Sequence, residues 1–270
     1  MNQNIIHISD IHCGASGKNI QEAEIICGIQ QLFSEIGDPE CILLVTGDIA
    51  FQGDLNSYTI ATRFFKTLFG TVPFKRENVL LCPGNHDIIA NGQRYFKDFE
   101  SFAYGVRGDN ICSYKSDSVS IVSNNGILFI GINTAYRLDH KYGYVDIAEL
   151  DRVLRIKNDE KIRVAYFHHH ILNINEQDQS VIRNAYELLL LLDKYKFNYL
   201  FHGHQHFSQR FPFGSSHMYC FGVRTVSFNG AVTGINTYQI LPDRIIYKEF
   251  VHLKDNVKYG RLGGYVCTNS

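Results

Sequence analysis

The sequence predicts an α/β fold built around a parallel sheet. Apolar segments of strand length alternate with longer stretches in which apolar residues recur at helical spacing, and the chain begins in the order strand, helix, strand, helix, strand. The second strand, CILLVTGD, is apolar throughout, as expected where both faces of a sheet are covered. Both observations favour parallel strands that are joined by helical crossovers.

The first five elements have clear sequence boundaries. The strands read NIIHIS, CILLVTGD and NVLLCPG. The first helix is expected to end at Gly37, because glycine favours the left-handed conformation that closes a helix. The second helix is expected to begin at Asp54 or Asn56, either of which is a good N-cap, and to end at Gly70.

The remainder of the chain predicts further strands and helices. SVSIVSNNGILFIGINT is typical of a hairpin with an Asn-Asn-Gly turn, while KIRVAYF and FNYLFHG are typical of single strands. Helices are predicted in QRYFKDFESFAYG, DIAELDRVLRIK and SVIRNAYELLLLLDKY. From about residue 215 to residue 252 the pattern predicts antiparallel strands, with a turn at Pro242 and Asp243. No repeat or linker is evident, so we expect one domain over residues 1–270.

Composition narrows the class of protein. The net charge of the 270 residues is −1, which gives no electrostatic argument for nucleic-acid or membrane binding, although a local basic groove stays open. Seven cysteines without a C-x-x-C pair indicate reduced, buried thiols. The N-terminus lacks the features of a signal peptide, and no apolar run approaches ~18 residues. We therefore expect a cytoplasmic protein without a membrane segment.

Polar side chains follow five of the predicted strands. Asp10 and His12 come after the first strand and are expected to project together, because alternate residues of an extended strand share a face. The other four strand ends carry Asp48; Asn85, His86 and Asp87; His168, His169 and His170; and His202, His204 and His206. Because ligands of open α/β sheets bind beyond the carboxyl ends of the strands, these residues are expected to share one site.

Each residue also has a structural interpretation. Asp48 could cap a turn, Asn85 could hold one, and a single buried histidine is more often a core residue than a ligand. A purely structural explanation of all these residues would require that five strand ends carry them by coincidence, all at one end of the sheet. That explanation is therefore a poor one. Imidazoles with carboxylates and an amide oxygen favour manganese, iron or zinc. Seven of these residues are candidate metal donors, which is too many for one tetrahedral ion. They suit two ions, ~3.5–4 Å apart, that share a bridging carboxylate.

The order D-x-H, G-D, G-N-H-D, H, G-H-x-H resembles the calcineurin-like metallophosphoesterase superfamily and extends from Asp10 to His206. The resemblance implies a four-layer α-β-β-α sandwich and two divalent metal ions, with manganese expected to be active in vitro. It implies that Asp48 bridges the ions and that His86 contacts the phosphate as a general acid, with Asp87 orienting its ring. The implied ligands are Asp10, His12, Asp48 and His206 for the first ion and Asp48, Asn85, His168 and His204 for the second.

One motif departs from the family pattern. The fourth motif usually reads H-x-P or H-H-P, whereas this chain has HHHIL without a proline. His168 is the expected ligand because it directly follows the strand, and His169 stays open as the alternative. No role is assigned to His202 or Cys13.

The resemblance implies hydrolysis of phosphate esters. The stretch GDIAFQGDLNSYTIATRFFKTL resembles bacterial cyclic-nucleotide-phosphodiesterase-like members, so phosphodiesters are favoured over monoesters. One alternative is a metal-dependent nuclease, for which a basic segment such as PFKRENV or RNAYELLLLLDKYK would have to line a groove. Another is a non-catalytic binding module on the same fold. The oligomeric state is left open.

Overall fold

The computed structural model describes residues 2–17, 20–88, 96–114, 118–156, 160–214, 218–227, 231–253 and 258–268. The helices are α1 (Glu22–Ile36), α2 (Leu55–Thr71), α3 (Lys97–Arg107), α4 (Ile147–Ile156) and α5 (Ala185–Lys194). The strands of a first sheet are β1 (Gln3–Ile8), β2 (Ile42–Thr46), β3 (Val79–Cys82), β10 (Gly234–Ile240), β11 (Arg244–Leu253) and β12 (Lys258–Thr268). Those of a second sheet are β4 (Val119–Asn124), β5 (Ile127–Ile132), β6 (Ile162–Tyr166), β7 (Tyr199–His202), β8 (Gln209–Phe213) and β9 (Met218–Gly222).

Both sheets combine a parallel part with antiparallel strands. In the first sheet the order is β12-β11-β10-β1-β2-β3, with β1, β2 and β3 parallel and β10, β11 and β12 added antiparallel beside β1. In the second sheet the order is β4-β5-β6-β7-β9-β8, with the four inner strands parallel and an antiparallel strand at each edge. The predicted β-α-β-α-β beginning and the predicted hairpin of β4 and β5 are confirmed.

The core arranges these elements in four layers. Side chains of β5 alternate between two hydrophobic clusters: Phe129 joins the first sheet, α1, α2 and α3, whereas Leu128 and Ile130 join α4 and α5. In β7, Phe201 and Leu200 divide in the same way. This period of two is what a strand buried on both faces requires. The predicted α-β-β-α sandwich is confirmed.

Helix ends test the capping predictions. Gly37 lies in the left-handed region at φ 65° and its amide donates to the carbonyl of Phe33, as predicted. Asp54, rather than Asn56, caps α2, since its carboxylate accepts the amide of Ser57 at 2.7 Å. The predicted end at Gly70 is wrong: α2 continues through Thr71 and ends where Val72 turns extended. Among the described helices, none has both the length and the apolar character that a membrane crossing requires.

In the second half of the chain, several predicted helix and strand boundaries are wrong. The helix predicted from Ser180 begins only at Ala185. The strand β9 ends at Gly222, earlier than predicted, and is antiparallel to β8 but parallel to β7. Strands β8 and β12 were not predicted. The predicted beginnings of the third helix, at residues 93–95, and of the C-terminal strands, at residues 215–217, lie outside the described residues.

Candidate metal centre

Five strands deliver polar side chains to one edge of the two sheets. Asp10, Asp48, His168 and His204 each stand two residues beyond the end of β1, β2, β6 and β7, respectively, and Asn85 stands three beyond the end of β3. The loops are tied together by backbone hydrogen bonds, such as that from the Asp10 amide to the carbonyl of Gly47 at 3.1 Å. Strands from both sheets therefore end around a common point, as predicted.

These loops hold an unusual backbone conformation. Nine non-glycine residues in the described part of the chain have positive φ, and five of them are expected ligands. The five are Asp10 (57°), His12 (48°), Asp48 (50°), His204 (69°) and His206 (56°). Such conformations cost about 1–3 kcal/mol each and persist where the surrounding structure enforces them, typically at functional sites. The concentration of backbone strain at the predicted ligands is independent support for a functional centre.

The expected geometry of Asp10 and His12 is wrong in detail. We expected an extended strand to carry both side chains on one face, but β1 ends at Ile8 and both residues have left-handed backbones. The side chains still converge, with 3.9 Å between His12 Nε2 and Asp10 Oδ1. Convergence therefore comes from a turn of the loop and not from strand periodicity.

The first cluster consists of Asp10, His12 and His206, whose donor atoms lie within 4.8 Å of one another. The Nε2 atom of His206 is 3.2 Å from Asp10 Oδ1. Asp10 is fully buried, and the hydroxyls of Thr225 and Ser227 donate to its carbonyl oxygen. These bonds fix the backbone of Asp10, and its carboxylate is held by the amide of His204, which donates to Oδ2 at 3.1 Å.

The second cluster lies around the Nε2 atom of His168. This atom is 3.3 Å from Asp48 Oδ2, 3.1 Å from Asn85 Oδ1 and 2.9 Å from His204 Nδ1. The other ring nitrogen of His168, Nδ1, donates to the carbonyl of Thr46 at 2.7 Å. When the ring is neutral, that bond keeps the remaining proton on Nδ1 and leaves the lone pair on Nε2, the tautomer that a metal ligand needs.

Asp48 belongs to the second cluster and also faces the first, because its donor atom lies within 4.8 Å of those of His12 and His86 in a third group. Its Oδ2 atom lies 3.3 Å from His168 Nε2 and 3.8 Å from His12 Nε2, while Oδ1 accepts the amide of His86 at 2.9 Å. The neighbouring backbone is close: a Cβ atom on Gly84 would stand 2.2 Å from Asp48 Oδ1. Only glycine at position 84 leaves room for this carboxylate. The backbone of the neighbouring loop therefore helps to determine where the carboxylate of Asp48 lies.

The charges of the centre compensate one another. Burial would raise the pKa of Asp48, but the rings of His168, His12 and His86 together outweigh burial and hold the pKa well below its usual range. Burial would likewise lower the pKa of His168, but the charges of Asp48 and Asp10 raise it to about 9. The pKa of His204 falls to about 3 because of burial and the neighbouring His168. Two charged carboxylates with imidazoles and an amide oxygen fit divalent manganese, iron or zinc.

The three histidines of HHHIL have different surroundings. His168 lies in the second cluster, whereas Nδ1 of His169 contacts the hydroxyl of Thr134 at 2.8 Å. His170 pairs with the carboxylate of Asp178 at 2.7 Å. Of the two alternatives left open by the missing proline, the geometry favours His168.

The two residues without an assigned role have structural surroundings. His202 is fully buried and stacks on Phe167, with 6.2 Å between ring centroids, and burial lowers its pKa to about 4. Cys13 is buried, and its amide donates to the carbonyl of Ile49, which joins the two loops that carry His12 and Asp48.

Asp87 differs from the expected role. We expected its carboxylate to orient the ring of His86, but it accepts hydrogen bonds from the amides of Ile49, Ala50 and Gly84 and from the hydroxyl of Tyr58. The ring of His86 is oriented instead through Nδ1, which lies 2.9 Å from the carbonyl oxygen of Phe51. Asp87 therefore fixes the loops after β2 and β3, and a backbone group sets the histidine.

Sequence reasoning missed two residues that support the centre. Tyr58 on α2 donates to Asp87, and His140 forms a reciprocal pair with Asn85. In that pair Asn85 Nδ2 donates to the His140 carbonyl at 3.0 Å, which turns Asn85 Oδ1 toward His168. Neither residue lies in a recognisable motif, so only the folded loops reveal them.

A cavity of about 300 Å³ opens beside the clusters. Its lining includes His12, Asp48, His86, His204 and His206, together with Phe51, Ala15, Ser16, Gly17 and Ser227. The volume is at the small end of cavities that hold small-molecule ligands. The cavity therefore exposes residues of both clusters, and His86 forms part of its wall.

Known proteins are similar to this chain in sequence or in fold. A probable cyclic nucleotide phosphodiesterase of Xenorhabdus bovienii is 24% identical over 170 residues, which are 61% of this chain and 60% of that protein. A dimetal phosphatase from Danio rerio superposes with a TM-score of 0.71 at 12% identity and covers 99% of both chains. A purple acid phosphatase from yellow lupin gives a TM-score of 0.64 at 12% identity, over 99% of this chain and 54% of the lupin chain.

The fold also occurs in a protein described as an anchor. That protein, from the inner membrane complex of Plasmodium, gives a TM-score of 0.62 at 11% identity and covers 100% of this chain and 89% of its own. At this level of identity the structural likenesses show the fold alone. The family assignment comes from the sequence, because the calcineurin-like phosphoesterase family matches residues 3–208. The chain belongs to the calcineurin-like phosphoesterase family.

Proposed function

We propose that the chain is a two-metal hydrolase of phosphate esters that prefers phosphodiesters, with cyclic nucleotides as the first candidates. The observation that carries the proposal is the position of Asp48 between two donor clusters, 3.8 Å from His12 Nε2 and 3.3 Å from His168 Nε2. A carboxylate in that position suits a bridge between two ions.

The proposed division of ligands follows the clusters. Asp10, His12 and His206 would hold one ion, Asn85, His168 and His204 would hold the other, and Asp48 would contribute to both. When bound, such a pair of ions supplies Lewis acidity that activates water and neutralises the charge of a phosphate ester. The protein contributes rigid donors, because the carbonyl of Thr46 fixes the His168 ring and the backbone of the loops is strained into place.

His86 is the proposed general acid. It lines the cavity beside His12, with 4.9 Å between the two ring centroids. Its Nδ1 atom donates to the carbonyl of Phe51, so Nε2 is the nitrogen left to exchange a proton with a substrate. In the doubly protonated ring, Nε2–H can pass its proton to the leaving oxygen, while the Phe51 carbonyl keeps the remaining proton on Nδ1.

The charge of the cavity supports a diester over a monoester. Among the described residues that line it, none is a lysine or an arginine. A phosphomonoester carries up to two negative charges at neutral pH and a diester carries one, and beyond the two proposed ions the described lining offers no lysine or arginine for the second charge. Uncharged Ala15, Ser16, Phe51 and Ser227 leave room instead for a second, uncharged substituent.

The nuclease alternative receives less support. In PFKRENV, Lys75 pairs with Glu40, and Arg76 Nε donates to the carbonyl of Val106 at 2.7 Å. In the other basic segment, Lys194 pairs with Asp151 at 3.1 Å, and Arg183 lies over the ring of Tyr142. These cations are occupied by protein groups, which weighs against a groove that neutralises a nucleic-acid backbone.

The test begins with metal-free protein that is reloaded with Mn²⁺. Elemental analysis should give about two ions per chain, as expected for a two-metal site. Hydrolysis of bis(p-nitrophenyl) phosphate and of 2′,3′- and 3′,5′-cyclic AMP should depend on the metal and exceed that of p-nitrophenyl phosphate. Two bound ions without hydrolysis of any ester would favour the binding-module alternative. Failure to bind metal would contradict the proposal altogether.

A further inference from the structure

We infer that Phe51 determines substrate specificity by stacking on a planar aromatic substituent of the phosphodiester, such as a nucleobase. The inference rests on the proposed function and adds the class of substituent that the cavity selects. Phe51 lines the cavity beside His86, and 36% of its surface stays exposed.

The backbone of Phe51 is fixed on both sides. Its amide donates to the carbonyl of Cys13 at 3.0 Å, and its own carbonyl accepts from His86 Nδ1 at 2.9 Å. The first bond ties Phe51 to the loop that follows β1, and the second ties it to the proposed general acid. An exposed aromatic side chain on so constrained a backbone loses little freedom when a ligand covers it, which favours binding.

The ring of Phe51 lies beside the rings of His86 and His12, which also line the cavity. It lies nearly parallel to His86, with 22° between the planes and 5.9 Å between centroids, and edge-on to His12 at 6.3 Å. A planar group above the metals can therefore contact Phe51 while its phosphate lies beside His86. Stacking suits such a group because every nucleobase has an aromatic face.

The composition and the size of the cavity weigh against charged or large substituents. A charged substituent would meet no lysine or arginine among the described lining residues. The volume of about 300 Å³ suits one small molecule. An aromatic substituent would instead cover the apolar surface of Phe51, and its removal from water is favourable.

Phe207 offers a matched control. It is the same residue type, follows the proposed ligand His206 directly, and is 57% exposed. Its ring faces the guanidinium of Arg224, with 5.1 Å from Arg224 Cζ to the centroid, and it does not line the cavity. A general loss of aromatic surface near the centre would affect both positions, whereas stacking in the cavity requires Phe51 alone.

The test compares the variants Phe51→Leu, Phe51→Tyr and Phe207→Leu. Titration calorimetry on Mn²⁺-loaded protein measures the dissociation constants of adenosine 5′-monophosphate and of ribose 5-phosphate, which share the phosphate and the sugar but differ in the base. We expect Phe51→Leu to weaken the adenosine compound about tenfold more than ribose 5-phosphate, which is about 1.4 kcal/mol. Phe51→Tyr should restore the ratio, and Phe207→Leu should leave it at the wild-type value.

The outcomes separate this inference from the proposed function. If Phe51→Leu weakens both compounds equally, or if Phe207→Leu changes the ratio as much, Phe51 does not select an aromatic group, although wild-type hydrolysis stands. If wild-type protein takes up no metal and hydrolyses no ester, the proposed function itself fails. Metal content of Phe51→Leu equal to that of wild type would show that the loss arises at the substrate and not at the centre.

Discussion

Replacement of Asp48 by asparagine tests the bridge most sharply. The variant keeps the shape of the side chain and an oxygen, but it removes the negative charge that faces both clusters. Asp48 Oδ2 is 3.3 Å from His168 Nε2 and 3.8 Å from His12 Nε2, so both ion positions should lose affinity together. A ligand that belonged to one ion only would weaken one position and leave the other.

The size of the effect follows from the pKa of His168. Burial lowers that pKa, yet the charges of Asp48 and Asp10 raise it from 6.5 to about 9, with Asp48 the larger of these two causes. At about 1.4 kcal/mol per pKa unit, the net effect of burial and of the two carboxylates favours a single positive charge on this ring by about 3 kcal/mol, and Asp48 supplies the larger carboxylate contribution. A divalent ion carries twice that charge, so Asp48→Asn should weaken each ion by more than about 100-fold.

The assay is titration of metal-free protein with Mn²⁺, followed by calorimetry and by hydrolysis of a phosphodiester. We expect less than one ion retained after desalting and a matching loss of activity. Asp54→Asn is the matched control, because it makes the same chemical change six residues away while asparagine still caps α2. Retention of both ions and of full activity in Asp48→Asn would refute the bridging assignment.

Three further predictions concern histidines of the centre. His168→Ala should reduce metal stoichiometry, whereas His169→Ala, which loses a contact to Thr134, should keep it; calorimetry showing the reverse order would transfer the ligand to His169. The metal-free His168 has a pKa of about 9, and a metal binds only its neutral form. Affinity for Mn²⁺ should therefore rise about tenfold per pH unit between pH 7 and 9. Metal binding at pH 7 should also release a proton. Calorimetry in buffers of different ionisation enthalpy measures that proton, and a pH-independent affinity would contradict the assigned charge state. His86→Ala should keep both metals but lower kcat by ~10²–10⁴-fold for alkyl diesters and less for p-nitrophenyl esters, whose leaving group departs without a proton; an equal loss for both ester classes would remove His86 from the general-acid role.

The sequence was informative where local pattern and fold agree. Apolar strands such as CILLVTGD require cover on both faces, and parallel strands place Asp48 and Asn85 at one edge whatever the details of the loops. The same reasoning chose His168 over His169 from its position directly after a strand. The order of strands along the chain and the position of each polar residue after its strand were therefore enough to predict one shared site, whereas the choice of ligands came from the resemblance to the family.

Loop geometry was not predictable in the same way. The left-handed backbones of Asp10 and His12 depend on hydrogen bonds to Gly47 and Asp48, which lie far away in the sequence. Asp87 was expected to orient His86 because the two residues are adjacent. A buried carboxylate needs hydrogen-bond donors, however, and three backbone amides and the hydroxyl of Tyr58 donate to Asp87. Such contacts between loops leave no periodic signal in the sequence.

Electron paramagnetic resonance of the Mn²⁺-loaded protein tests the central claim most directly. Two manganese ions that share the Asp48 carboxylate are close enough for their spins to couple, so about two ions per chain should give the multiline spectrum of an exchange-coupled pair. Asp48→Asn should abolish that spectrum, and Asp54→Asn should retain it. A wild-type spectrum of isolated ions only, at any loading up to saturation, would contradict a bridged two-metal centre.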